Sequence, residues 1–179
     1  MGNTVSNFEV IRVTPTITAD AVGAGEVLFT TTEIPNAVLG NGGCSKLIGV
    51  WVLSQSGAVQ KDISLVFLQK NTSIGTVNET PSISDADAEA ANFLGAITNI
   101  DAGNTDVDLG GVKILGGGTQ LGQSSVAIPM LLQAEGDSTS VYFAGIAKEA
   151  AEEAYIKTVT NPNNDTVTKA KQAMEEVLM

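Results

Sequence analysis

Short apolar runs separated by turn residues dominate residues 1–146 of the chain. The runs are rich in β-branched and aromatic residues, and they end near Gly, Pro, Asn or Ser, as strands joined by tight turns do. The predicted strands are Phe8–Val13, Glu26–Ile34, Leu47–Leu53, Ile63–Leu68, Gly111–Leu115, Val126–Leu132 and Thr139–Ile146. This pattern indicates an antiparallel sandwich or barrel, and the sequence contains no internal repeat.

The most apolar pair of predicted strands is Leu47–Leu53 and Ile63–Leu68. Only nine residues separate them, too few for a helical crossover and enough for a hairpin turn. We therefore predict that the two strands pair with each other at the centre of the fold. Trp51 and Phe67 lie inside these runs, so both are predicted to be core residues.

One segment between the strands has the pattern of a helix. Ser84 is a suitable N-cap, Asp85 and Asp87 lie in the first turn, and several alanines follow. The pattern predicts a helix over Ser84–Leu94 that ends at Gly95.

The chain changes character at residues 148–179, where helix-favouring residues replace the strand pattern. A helix is predicted to begin at Asn164 or Asp165 and to run to about residue 178. Four apolar residues at spacings of three and four share one face of it and are predicted assembly contacts: Val167, Ala170, Met174 and Leu178. This face docks either on its own domain or on a neighbouring subunit, and we favour the neighbour. The predicted organisation is a β domain over 1–147 and a helix-rich extension over 148–179.

The charge of the chain argues against several partners. Nine basic residues stand against twenty acidic ones, a net charge of −11, which disfavours nucleic acid and acidic membranes. Yet only 16% of residues are charged, against about 25% in a typical domain. The surface therefore consists largely of small polar residues, which cost less to desolvate and suit broad contacts with other subunits.

The residue types leave little room for catalysis. The chain has no histidine, and Cys44 is its only cysteine, which excludes Ser-His-Asp and Cys-His catalysis and an internal disulfide. Gly117–Ser124 has the glycine spacing of a phosphate loop, but Gln123 replaces the required lysine and a strand follows, so we expect an inter-strand loop. The acidic stretch Asp101–Asp108 is expected to be a solvated turn, with calcium binding left open. We predict no catalytic residue, cofactor or metal site, and no enzymatic activity.

The order of the segments resembles a known group of proteins. The segments are ADAVGAGEVLF, EIPNAVLGNGGCSKLIGVWVLSQSG, KDISLVFLQKNTSIGTVNE and STSVYFAGIAK. They resemble small structural proteins in the virions of tailed bacteriophages, notably phages of cyanobacteria, over about Phe8–Lys148. The shared motifs are a strand opening with Gly25-Glu26-Val27, a turn Ile34-Pro35-Asn36-Ala37 and a strand with Asp62, Ile63, Leu65 and Phe67 in alternation.

The resemblance implies a β-sandwich displayed on a capsid or attached near the tail. We therefore expect a mainly β chain, an antiparallel, jelly-roll-like β-sandwich with one short inserted helix and a C-terminal helical appendage. We expect it to be a capsid decoration or cement protein, made in the host cytoplasm and placed on the outside of the head. The expected partners are the major capsid protein or another virion protein and further copies of the chain, without nucleic acid or membrane. A tail, neck or fibre-base protein and a receptor- or glycan-binding module are the alternatives.

Overall fold

The computed structural model describes residues 9–17, 22–54, 62–100, 107–108, 113–117 and 129–148. Within these residues the chain is mainly β, with nine strands in three antiparallel sheets and one helix. The strands are β1 (Val27–Ile34), β2 (Cys44–Leu47), β3 (Val50–Ser54), β4 (Ile63–Leu68), β5 (Phe93–Ile100), β6 (Val107–Asp108), β7 (Lys113–Gly117), β8 (Met130–Gln133) and β9 (Val141–Ala147). The helix α1 spans Asp85–Ala91.

The largest sheet has the strand order β1-β9-β4-β5. Its two inner strands, β4 and β9, contain no charged residue, as is usual for strands that have neighbours on both sides and are covered on both faces. The register pairs Phe67 with Phe143 and Leu65 with Gly145. An uncharged strand therefore lies beside another uncharged strand at the centre of the fold.

Two smaller sheets contain the remaining strands. One pairs β2 with β8, and the other has the order β3-β7-β6. β2 and β3 follow each other closely along the chain, and only Ile48 and Gly49 separate them.

The central sheet has apolar residues on both faces, because successive side chains of a strand point in opposite directions. In β9, Val141 and Phe143 face one cluster, and Tyr142 and Ala144 face the other. The larger core consists of Phe29, Ala37, Val38, Leu65, Phe67, Ile97, Ile100, Met130, Leu132, Ala134 and Val141. The smaller core consists of Val27, Leu68, Ile74, Ala91 and Ala144. The small sheets contribute to the larger core, and α1 contributes to the smaller one.

The helix α1 begins where the sequence predicts. The main-chain N–H of Asp87 donates to the Ser84 Oγ at 3.1 Å, and the Ser84 hydroxyl donates to the Asp87 carboxylate at 2.6 Å. The predicted end was wrong, because the helix stops at Ala91 and Asn92 takes a left-handed conformation with φ of 49°. The chain then enters β5, a strand that the sequence pattern did not predict.

Ser84→Ala is expected to lower the free energy of unfolding by about 1 kcal/mol, because the N–H of Asp87 loses its side-chain acceptor. Urea denaturation followed by circular dichroism measures this change. Ser82→Ala is the matched control, because the main-chain N–H of Ser82 donates to the carbonyl oxygen of Ile74 and the substitution keeps this hydrogen bond. Equal effects of the two substitutions would contradict the assigned cap.

Several predicted strands are confirmed. Ile63–Leu68 is β4 with the predicted bounds, and β1 and β9 match their predicted runs to within two residues. β7 and β8 overlap the predicted strands over Gly111–Leu115 and Val126–Leu132, and Pro129 immediately precedes β8. No helix in the described part of the chain is long and apolar enough to cross a membrane.

Other predictions were wrong. The described part of Phe8–Val13 lies outside any strand, although Ile11 packs against the larger core. The predicted hairpin does not form, because β3 pairs with β7 whereas β4 pairs with β9 and β5. The long run Leu47–Leu53 is also divided between two strands that belong to different small sheets. β4 pairs instead with two uncharged strands: β9, which is far away in sequence, and β5, the next strand along the chain, from which α1 separates it.

Candidate functional surface

Most site residues named from the sequence lie outside the described residues. This holds for Val167, Ala170, Met174 and Leu178 and for the whole extension beyond Lys148. It also holds for residues 101–106 of the acidic stretch, of which Asp108 belongs to β6, and for the glycine-rich loop beyond Gly117. Over the residues that are described, no cluster of three or more His, Cys, Asp or Glu side chains could hold a metal ion.

The outward side of β3 exposes two large apolar side chains, which we call the β3 face: Trp51, 57% exposed, and Leu53, 52% exposed. The prediction that Trp51 is a core residue was therefore wrong. Val50 and Val52, which alternate with the β3 face, are the residues that pack against the larger core. Both sides of β3 are therefore apolar, but only the side with Val50 and Val52 packs on the core, and the β3 face remains exposed to solvent.

The neighbouring strand explains why the indole stays exposed. Trp51 stands opposite Gly116 of β7, and glycine has no side chain that could cover the ring. A Cβ atom at Gly49 would lie 3.9 Å from the Trp51 Nε1, so the indole reaches back along the chain towards another glycine. Leu53 stands opposite Ile114, which is partly buried. The apolar surface thus extends across the β3–β7 pair.

Further exposed apolar residues occur close to β3 in the chain or on the other small sheet. Ile48, in the link before β3, is 59% exposed. Leu131 of β8 is 61% exposed and stands opposite Lys46 of β2. Single exposed apolar residues are ordinary on protein surfaces, but adjacent ones on one strand indicate a contact surface.

The β3 face is also free of charge, since β3 has the sequence VWVLS. The ion pair between Lys70 and Glu135, at 3.3 Å, joins two partly exposed side chains and adds little to stability. In a chain with a net charge of −11, an uncharged strand is a place where another subunit can approach without like-charge repulsion.

Within the described residues, the environment of Tyr142 changes the pKa of its side chain. Partial burial, followed by the carboxylates of Glu33 and Glu135, raises the pKa of the phenol above its ordinary value of 10.0. The protonated phenol is therefore favoured in the folded protein. Its contribution to stability is present below pH 10 and is lost as the pH rises through the raised pKa. Glu33 stands opposite Tyr142 in the sheet and accepts a hydrogen bond from the Ser140 hydroxyl at 2.6 Å, which indicates a structural cluster.

No protein-family model, curated protein or solved structure matches the chain.

Proposed function

We propose that the chain is a structural protein of a tailed-bacteriophage virion, a decoration or cement protein on the outside of the head. The observation that carries this proposal is the β3 face, where Trp51 and Leu53 are exposed side by side on an uncharged strand. Tryptophan is enriched among the residues that contribute most of the binding energy at protein–protein contacts. The order of segments over Phe8–Lys148, which resembles small virion proteins, supports the same function.

The proposed fold of the domain is a jelly-roll-like β-sandwich. The larger core lies between the central sheet, which contributes Phe67 and Leu65, and the small sheets, which contribute Met130 and Leu132. Partly buried residues of β2 and β3 pack against the same core. Two layers of antiparallel strands around one core is the arrangement of a sandwich, and such a domain presents the outer side of one layer to its partners.

Charge favours a position on the outside of the head. A chain with a net charge of −11 is repelled by packaged DNA, whereas small polar side chains and an apolar strand can contact a protein shell. The partner proposed for this contact is the major capsid protein or another virion protein. The C-terminal stripe Val167, Ala170, Met174 and Leu178 is proposed as a second contact with a neighbouring subunit.

Adding the purified chain back to particles that lack it tests this function. We expect saturable binding to heads and an increase in the temperature at which heads release their DNA. Binding to isolated tails instead would favour a tail, neck or fibre-base protein. Binding only to sugars on a glycan array would favour a receptor-binding module that uses the exposed indole of Trp51. Absence of binding to any part of the particle would contradict a structural role.

The C-terminal contact has its own test. Changing Met174 and Leu178 together to Lys is expected to weaken binding to heads by about tenfold or more, because two apolar contacts become charged. The melting temperature should stay unchanged. Gln172→Lys, on the opposite side of the predicted helix, is the matched control and should bind normally. A fall in melting temperature for the double variant would show that the stripe docks on its own domain.

A further inference from the structure

β3 is an edge strand within the described part of the chain, where β7 is the neighbour it pairs with. An edge strand presents main-chain N–H and C=O groups that can pair with another strand. Natural edges are usually protected by charged side chains, by proline or by bulges. The sequence of β3, VWVLS, contains no charged residue and no proline. Its five residue pairs with β7 continue without a shift in register, so this pairing contains no bulge.

The side chains of β3 are arranged almost symmetrically about Val52. Trp51 and Leu53 lie on either side of it and point outward, and Val50 packs against the larger core as Val52 does. A two-fold axis through Val52 would therefore place outward residues opposite outward residues. Trp51 of each strand would face Leu53 of the other, and an aromatic residue opposite an aliphatic one stabilises a strand pair.

We propose that β3 pairs in antiparallel orientation with β3 of a second copy, about a two-fold axis at Val52. The pairing joins two three-stranded sheets into one continuous sheet, with β3 of each copy at its centre. It satisfies the main-chain groups of the edge and covers part of each indole with a leucine from the second copy. The contact closes on itself, so it gives a dimer and no filament.

A second copy suits this edge for two reasons given by the strand itself. The strand carries no charge, so two acidic chains can approach here without bringing like charges together. A shift of the pairing by one residue is also disfavoured, because it would turn Trp51 towards the side that packs on the core.

This inference rests on the proposed function in one respect, since the second copy binds at the edge of β3, beside the outward β3 face that is proposed to contact another virion protein. Trp51 is the only tryptophan of the chain, so its fluorescence reports on this surface alone. We expect sedimentation of the full chain to show a monomer–dimer equilibrium. The emission of Trp51 should move to shorter wavelength over the same range of concentration, because the indole loses contact with water.

Leu53→Lys is expected to weaken the dimer by about tenfold or more, because the change occurs twice at the contact and places a charge on the edge. Leu53→Thr introduces an uncharged, β-branched residue that suits a strand, so it should weaken the dimer less while leaving the fold intact. Leu131→Lys is the matched control, since Leu131 is similarly exposed, at 61%, on a strand of the other small sheet. It should dimerise normally. Thermal melting confirms that each variant is folded.

Three results would overturn the inference: a monomer at the highest soluble concentration, a dimer whose formation leaves the Trp51 emission unchanged, or equal disruption by Leu131→Lys and Leu53→Lys. The same measurements separate this inference from the proposed function. A monomer that still binds heads contradicts only the dimer. A dimer that binds no part of the particle contradicts only the virion role.

Discussion

Phe67→Ala is expected to lower the free energy of unfolding by about 3–5 kcal/mol, the usual cost of removing a phenyl ring from a packed core. Phe67 is 2% exposed and lies on β4, an inner strand of the central sheet. Its ring stacks on Phe143 with centroids 6.2 Å apart, and Phe143 in turn contacts Phe29 edge-on at 5.3 Å. Alanine would leave a cavity at one end of this aromatic row, beside Phe143, which the neighbouring strands cannot close.

Trp51→Ala is the matched control for Phe67→Ala. It removes an even larger aromatic ring, but from a position that is 57% exposed, so the expected loss is below about 1 kcal/mol. Urea denaturation followed by circular dichroism suits both variants, because the second lacks the only tryptophan. The protein should be dilute enough to be monomeric. A loss for Trp51→Ala as large as that for Phe67→Ala would show that the indole is buried within the monomer.

Gly145→Ala is expected to destabilise the protein by about 1–3 kcal/mol, the usual cost of overfilling a packed site. Gly145 lies on β9 and stands opposite Phe29 of β1. A Cβ atom at this position would overlap the Cε1 atom of Phe29 and lie 2.6 Å from its Cδ1 atom. Phe29 is itself 4% exposed and contacts Phe143, so its ring cannot move away without disturbing the larger core.

Gly136→Ala is the matched control for this prediction, because a Cβ atom there would meet no atom within 4 Å. We expect its unfolding free energy to equal that of the unchanged protein to within about 0.5 kcal/mol. Thermal and urea unfolding of both variants provide the comparison. Near-neutral behaviour of Gly145→Ala would show that Phe29 does not occupy the space above the glycine.

Local pattern was enough to find the strands with clear boundaries. β4 is an apolar run between polar residues, β1 ends immediately before Pro35, and Ser84 provides a clear N-cap. These features depend on residues close together in the chain, where propensity and capping act.

Pairing could not be predicted in the same way, because it depends on residues far apart in sequence. The hairpin prediction assumed that adjacent apolar runs pair with each other, whereas β4 has β9 as a neighbour. β5 was missed because Gly95 looked like the end of a helix. In the structure Gly95 lies within the strand, and Met130 of β8 occupies the space that a side chain would fill.

The β3 face was missed for a related reason. Both sides of β3 are apolar, so alternation alone does not tell which side meets the core. Gly116 leaves Trp51 uncovered, and only the register of β3 with β7 shows that these two residues stand opposite each other. The predicted assembly contacts of the C-terminal extension lie outside the described residues and stay predictions.

Imaging of the particle tests the virion role most directly. Reconstructions of heads and tails should be compared between particles made with the chain and particles made without it. The proposed role predicts that density for a β domain covers the outside of the head in the first set and is missing in the second, while the tails are identical. Identical heads in both sets, or a difference confined to the tail, would contradict a decoration protein.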